Sequence, residues 1–323
     1  MSIRRKISLI LLLTFVNQSC SECSKFNLNF IIEIILKRII KKDSMTLPTE
    51  TKRNEDTEIL KKNKNIEYSI IGQSNCGRNI ELFKIGNKGK KILLAGCFHG
   101  LEWMTYLVLI KFLNEYSNSE LSNQIYVIPC MNPDGVEISL TGAKSAGKFK
   151  NLVKKIGNTN KWQANGRGID INHNFNAGWK EVKVREIENG FKGPNHTRFG
   201  GDAPESEPET QAIVNLCRSE NFDLAFAFHS QGEEIYWDFG PNTPEESKQI
   251  AEHISQLTGY SVSKPIGLAV GGGFKDWFIE EFKKPGFTLE IGKGKNPLPI
   301  EDFDSIYNKL SPFLEFLALN ELH

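Results

Sequence analysis

Residues Lys90–Trp103 read KKILLAGCFHGLEW, and this stretch decides the fold. Ile92 to Ala95 are uninterrupted apolar residues, the pattern of a strand buried on both faces. From Leu101 the chain continues LEWMTYLVLIKFLNEY, with apolar residues at helical spacing. A doubly buried strand that hands over to such a helix belongs to an α/β sheet covered by helices. His99 and Glu102, three apart, lie in the hand-over itself. Alone, such a pair is either half of a metal site or an ordinary polar turn.

The same layout recurs outward from this point. Upstream, EYSIIG and IELFKIG flank the turn QSNCGRN and form an opening hairpin. Downstream, QIYVIPC is a second buried strand, stopped by the turn NPDG, Asn132 to Gly135. A polar stretch from about 145 to 205 reads as a long loop, and long loops inside compact domains are usually functional. ESEPETQAIVNLC reads as a helix with Ser206 and Glu209 spaced for a capping box. DLAFAFHSQGE is a third buried strand, ending at His229. TPEESKQIAEHISQLTGY, GGFKDWFIEEF and EDFDSIYNKLSPFLEFLAL read as helices, and GFTLEIG as a strand. The expected fold is α/β: a single domain with a mixed, mostly parallel central β-sheet flanked by helices, over residues 65–321.

Composition narrows the function. The chain has 323 residues, 39% hydrophobic, with a net charge of +1 and no long basic block, which is a globular composition and argues against a nucleic-acid partner. Cys20 and Cys23 form a C-x-x-C with no second pair at zinc-finger spacing. Cys97 and Cys130 each end a buried strand and read as small buried hydrophobes. Arg4, Arg5 and Lys6 precede the apolar stretch Ile7 to Val16, as in a secretory signal peptide. A second segment, FNLNFIIEIILKRIIKK, suits an amphipathic interfacial helix. Residues 1–44 are therefore expected to be a signal peptide or membrane anchor, placing the protein outside the cell or on a membrane. If translation starts at Met45 it is cytoplasmic. Residues 45–64 read as a charged linker.

In α/β sheets, sites form where strands end and loops begin. His99 and Glu102 follow one strand, His229 ends another, and Glu290 lies in GFTLEIG. Strand alternation puts Phe287, Leu289 and Ile291 on one face and Thr288 and Glu290 on the other. A glutamate buried there must be paired, hydrogen-bonded or open on a cleft, and a structural salt bridge is one such outcome. Zinc takes nitrogen and carboxylate ligands, and a catalytic site keeps a position open for water. Two histidines and a glutamate supply three ligands, and a second glutamate can supply a base.

HGLEW, NPDG, GIDINHNF, SEPET, AFHSQG and GFTLEIG occur in this order. Together they resemble the zinc metallocarboxypeptidase superfamily of carboxypeptidase A type, over roughly residues 66–320. The resemblance implies one Zn2+ per chain, held by His99, Glu102 and His229, with Glu290 as the general base. It implies that Asp170 orients the first zinc histidine, that Asn172 grips a substrate carboxylate, and that Arg167 polarises the scissile carbonyl.

Two departures stand out. The residue after Asn172 is usually an arginine that forks onto the C-terminal carboxylate. Here it is His173, and a histidine side chain cannot make that bidentate clamp. The place of the substrate-capping tyrosine falls near Leu268. With Asn-His, HSQGEEIYW and GGFKDWF, the chain resembles the branch of γ-D-glutamyl-diamino-acid peptidases. Lys275, two before Trp277, then falls in the specificity pocket, where an ammonium favours a carboxylate on the substrate side chain. The expected partner is a small peptide or muropeptide acted on by a monomer, with membrane contact only through residues 1–40. The alternatives are an ordinary carboxypeptidase and a non-catalytic, zinc-bearing peptide-binding module.

Overall fold

Ile92, Leu93, Leu94 and Ala95 are all fully shielded from solvent, as an apolar strand in the middle of a two-sided sheet must be. The computed structural model describes residues 46–321. They run α1 (Glu50–Leu60), β1 (Glu67–Gln73), β2 (Asn79–Ile85), β3 (Lys91–Ala95), α2 (Met104–Tyr116), β4 (Gln124–Ile128) and α3 (Pro133–Thr141). Then follow α4 (Lys150–Ile156), α5 (Trp179–Glu188), α6 (Pro208–Glu220), β5 (Leu224–His229), β6 (Glu234–Tyr236) and α7 (Glu246–Thr258). The chain closes with β7 (Ser261–Ser263), α8 (Phe274–Phe282), β8 (Gly286–Glu290) and α9 (Phe303–Leu319). The sheet order is β1-β2-β4-β3-β5-β8-β6-β7. The centre is parallel, β3 with β4 and β5 and β5 with β8, and so is the β6–β7 edge. The β1–β2, β2–β4 and β6–β8 pairs are antiparallel, so the sheet is mixed as expected.

Strand alternation sorts the core into two layers. Ile92, Leu94, Phe226, Phe228, Phe287 and Leu289 face one side, packed with residues of α2, α7 and α9. Leu93, Ala95, Ala225 and Ala227 face the other, with residues of α6 and α8. Phe226 stacks on Phe287 at 5.0 Å and meets Phe313 of α9 edge-on at 5.3 Å. A fully buried side chain of this size contributes roughly 2–3 kcal/mol. Phe287, Leu289 and Ile291 share the first side, as their spacing predicts, which turns Thr288 and Glu290 the other way.

Four expectations change. Residues 45–64 are not a linker, since α1 occupies most of them and the compact unit begins at Leu47. With Leu60 alone as its buried aliphatic, α1 is held mainly through polar contacts that composition cannot reveal. Arg53 is buried and donates to the Pro48 carbonyl, Thr57 donates to Glu81 at 2.8 Å, and Asp56 accepts from Tyr106 at 3.1 Å. NPDG is not a free turn: the Asn132 side chain accepts from the Gly135 amide at 2.8 Å and caps α3, with Pro133 at its start. The stretch from 145 to 205 carries α4 and α5 rather than one long loop. The capping box does not form, because Glu207 stands at the cap of α6 and Glu209 is drawn into a buried polar cluster. Residues 1–44, expected to be a signal peptide or anchor, and Cys20 and Cys23 with them, lie outside the described residues. Among the described residues no helix is long and apolar enough to cross a membrane.

Candidate metal centre and catalytic cleft

β3 and β5 are parallel neighbours, so the segments leaving their C-terminal ends meet. The turn after β3 is tight. Cys97 takes φ 51°, a region L-residues rarely use, and its amide is held by the Thr105 hydroxyl at 2.8 Å. Gly100 runs so close to α3 that a Cβ there would lie 2.3 Å from the Gly135 backbone. Between these two constraints His99 and Glu102 turn back toward the end of β5. The Nδ1 of His99 lies 2.9 Å from one Glu102 oxygen, and the Nδ1 of His229 lies 3.0 Å from the other.

The far side of His99 is fixed by a carboxylate. Its Nε2 meets Asp170 Oδ1 at 3.2 Å. A carboxylate only accepts, so this contact keeps a ring proton on Nε2, and a metal at Nδ1 would take the place of the proton that Glu102 otherwise draws there. Burial alone would raise the Glu102 carboxyl, but His99 and His229 outweigh it and hold it at about 2. Burial disfavours a proton on His99, yet Glu102 and Asp170 push its pKa well above the ordinary value. Burial lowers that of His229. Two buried anions, Glu102 and Asp170, thus draw positive charge toward His99. His99, Glu102 and His229 can each offer one ligand atom, all within 4.8 Å of one another. That set fits zinc: two imidazole nitrogens, one carboxylate oxygen and room for a further ligand.

Glu290 sits directly beside His229, because the two are register partners at the ends of β5 and β8. It lines a cavity of about 310 Å³ together with the three candidate ligands. Burial, and then the Glu102 charge, push its carboxyl well above the usual range. Asn172 also lines this cleft, with its Oδ1 taken by the Phe274 amide at 3.0 Å, so its NH2 group is left for a ligand. Lys275 is buried rather than turned to solvent. It lines the cleft, pairs with Asp276 and donates to the Asp238 carbonyl at 2.6 Å. Leu268 lines the rim where the capping tyrosine is missing, and Tyr236 of β6 lines another wall.

One expected residue lies away from the cleft, and one lines it with both ring nitrogens engaged. Arg167 does not line the cleft. Its guanidinium pairs with Glu207 at 3.1 Å, which corrects its assignment to the scissile carbonyl. The arginine in the cleft is Arg198, in a stretch where no motif marks it. His173 is buried, with Nδ1 3.0 Å from Glu186 of α5 and Nε2 3.4 Å from Arg198.

The profile of the zinc carboxypeptidase family matches residues 57–310. The chain belongs to the zinc carboxypeptidase family. It is 37% identical over 275 residues to a gamma-D-glutamyl-L-diamino acid endopeptidase 1 of Lysinibacillus sphaericus, covering 79% of this chain and 68% of that one. It is 34% identical over 265 residues to the uncharacterized protein YqgT of Bacillus subtilis (strain 168), covering 76% of this chain and 69% of that one. Rat carboxypeptidase B is 26% identical over 254 residues, covering 70% and 58%. Among solved structures, bovine thrombin-activatable fibrinolysis inhibitor shares the fold with a TM-score of 0.68 at 18% identity, covering 84% of this chain and 96% of that one. This zinc carboxypeptidase family member is therefore a metallopeptidase, with zinc as its cofactor and peptides as its substrate class.

Proposed function

We propose that this metallopeptidase hydrolyses the amide between the γ-carboxyl of D-glutamate and a diamino acid, diaminopimelate or lysine, in peptides derived from bacterial cell walls. The observation that carries the reading is a cleft with an altered charge layout. A histidine replaces the usual clamping arginine at position 173, and a buried ammonium, Lys275, lines the wall. The relative at 37% identity, itself named for the γ-D-glutamyl-diamino-acid bond, supports the same reading.

Bound zinc supplies a Lewis acid that polarises the scissile carbonyl and makes a neighbouring water easier to deprotonate. His99, Glu102 and His229 would hold it, and Asp170 would keep the remaining ring proton of His99 on Nε2. Glu290 takes the proton of the attacking water on a carboxylate oxygen and returns it to the leaving amine nitrogen. Asn172 offers its free NH2 group to a substrate oxygen. Lys275 favours a diamino acid that carries its own distal carboxylate, as diaminopimelate does and lysine does not.

The test is a mass-spectrometric digest with zinc-loaded protein and the Glu290→Gln variant as control. The substrates are L-Ala-γ-D-Glu-meso-diaminopimelate, its lysine counterpart, and peptides ending in phenylalanine or lysine. Cleavage of the γ-D-glutamyl peptides alone, lost in the variant, is the expected result. Cleavage of the ordinary peptides alone makes the protein a general carboxypeptidase and sinks the proposal.

A further inference from the structure

We infer that Arg198 is the carboxylate anchor of this cleft, held in place by His173, which Glu186 orients. The inference rests on the peptidase reading above and names the residue that takes over from the missing arginine at position 173. Arg198 lines the cleft, and its side-chain partner among the described residues is an imidazole rather than a carboxylate. Its cationic neighbour Lys275 spends donors on Asp276 and the Asp238 carbonyl, which leaves one for the side-chain carboxylate assigned to it above. Arg198 thus presents a guanidinium with donors to spare.

Donor and acceptor chemistry fixes the rest. Glu186 is fully buried and can only accept, so His173 Nδ1, 3.0 Å away, carries the ring proton. Arg198 can only donate, so His173 Nε2, 3.4 Å away, presents its lone pair. Glu186 is itself locked by Lys183 at 3.0 Å and by the Gly200 amide at 3.1 Å. The backbone of Arg198 is pinned as well: its amide donates to Asp170 Oδ2 at 2.8 Å, while Oδ1 of the same carboxylate holds His99. One aspartate therefore sets the spacing between metal ligand and anchor. Asn172 stands on the same stretch as His173, with its NH2 group free to share the carboxylate.

His173 and Glu186 are positioning residues, and Arg198 is the group that touches substrate. The experiment compares kcat/KM for wild type and Arg198→Gln on the peptide that wild type cleaves, and on analogues in which each carboxylate is singly replaced by a carboxamide. The expected loss on the parent peptide is about 30-fold, the scale of one charge-assisted hydrogen bond. That loss disappears on the one analogue lacking the anchored carboxylate, which wild type itself cleaves poorly. An equal loss on the parent and on every analogue overturns the inference, since Arg198 then acts on the scissile carbonyl or on the fold. No loss overturns it too. Arg198→Lys keeps a point charge and is expected to lose less, with the same analogue dependence, which covers the case in which Arg198→Gln does not fold. His173→Asn should raise KM more than it lowers kcat, with zinc content unchanged. If wild type cleaves ordinary C-terminal peptides instead, the substrate proposal falls and the carboxamide comparison runs unchanged on those peptides.

Discussion

Two groups of buried carboxylates lie in this molecule, and they are answered in opposite ways. Around Glu209 the charges are closed off. Glu209 accepts from the Asn75 amide at 3.0 Å and from Asn165 at 3.3 Å; Asp134 is paired with Arg78 at 2.8 Å; and Glu207 is met by Arg167. Around Glu102 the answering groups are imidazoles, whose lone pairs a metal can claim. Arginine and amide donors finish a carboxylate cluster, whereas histidine leaves it open to a cation. The first cluster is architecture and the second is a site, although both carry glutamates from strongly patterned motifs.

The sharpest way to break this contrast is to remove an imidazole. His99→Ala should abolish zinc binding by metal analysis and reduce peptidase activity to background. A chelator should lower the melting temperature of wild type but not of this variant, because a ligand that binds only the native state stabilises it. A variant that keeps its zinc would mean that His99 is no ligand. Next, Glu290→Gln should retain zinc while kcat falls roughly 10²- to 10⁴-fold, the range for a lost general base. A loss of metal together with activity would move Glu290 from catalysis to ligation.

The closed cluster gives a test by pH. Burial, and then the Asp134 charge, push the Glu209 carboxyl up to about 8. An unfolded glutamate titrates near 4.3, so between about pH 4.5 and 8 the native state holds a proton that the unfolded state has lost. Stability should therefore fall as pH rises through that window, by a few kcal/mol at most at about 1.4 kcal/mol per unit. Glu209→Gln should flatten the slope in denaturant titrations at a series of pH values, and an unchanged slope removes Glu209 from the account. The smallest effect is expected from Arg167→Gln. Its half-exposed pair with Glu207 is worth about 1 kcal/mol or less, and kcat/KM should change less than about threefold. A drop of 100-fold would return Arg167 to the cleft.

The same contrast explains what was legible in the sequence. His99, Glu102, His229 and Glu290 sit at strand ends, where apolar runs and period-two alternation announce both the element and the facing side. Arg198 lies in a turn-rich stretch with no period, and Arg167 was taken as the nearest arginine before GIDIN. The helix α1 was missed because buried polar pairs hold it, and Glu209 was taken for a cap because its spacing from Ser206 fits one. Periodicity reports what faces the core. It is silent on which charges find each other across loops.

The register of β5 and β8 has one more consequence. Because His229 and Glu290 occupy the same rung, the placement of Glu290 is a discrete variable. A slip of one residue would swing it into the layer that holds Leu289 and would turn an aliphatic side chain toward the cleft. A register change is therefore all-or-none for Glu290, the residue proposed as the general base. The segments that carry Asn172, His173 and Arg198 lie outside the strands, so substitutions there can alter the cleft wall without changing the rung that Glu290 occupies.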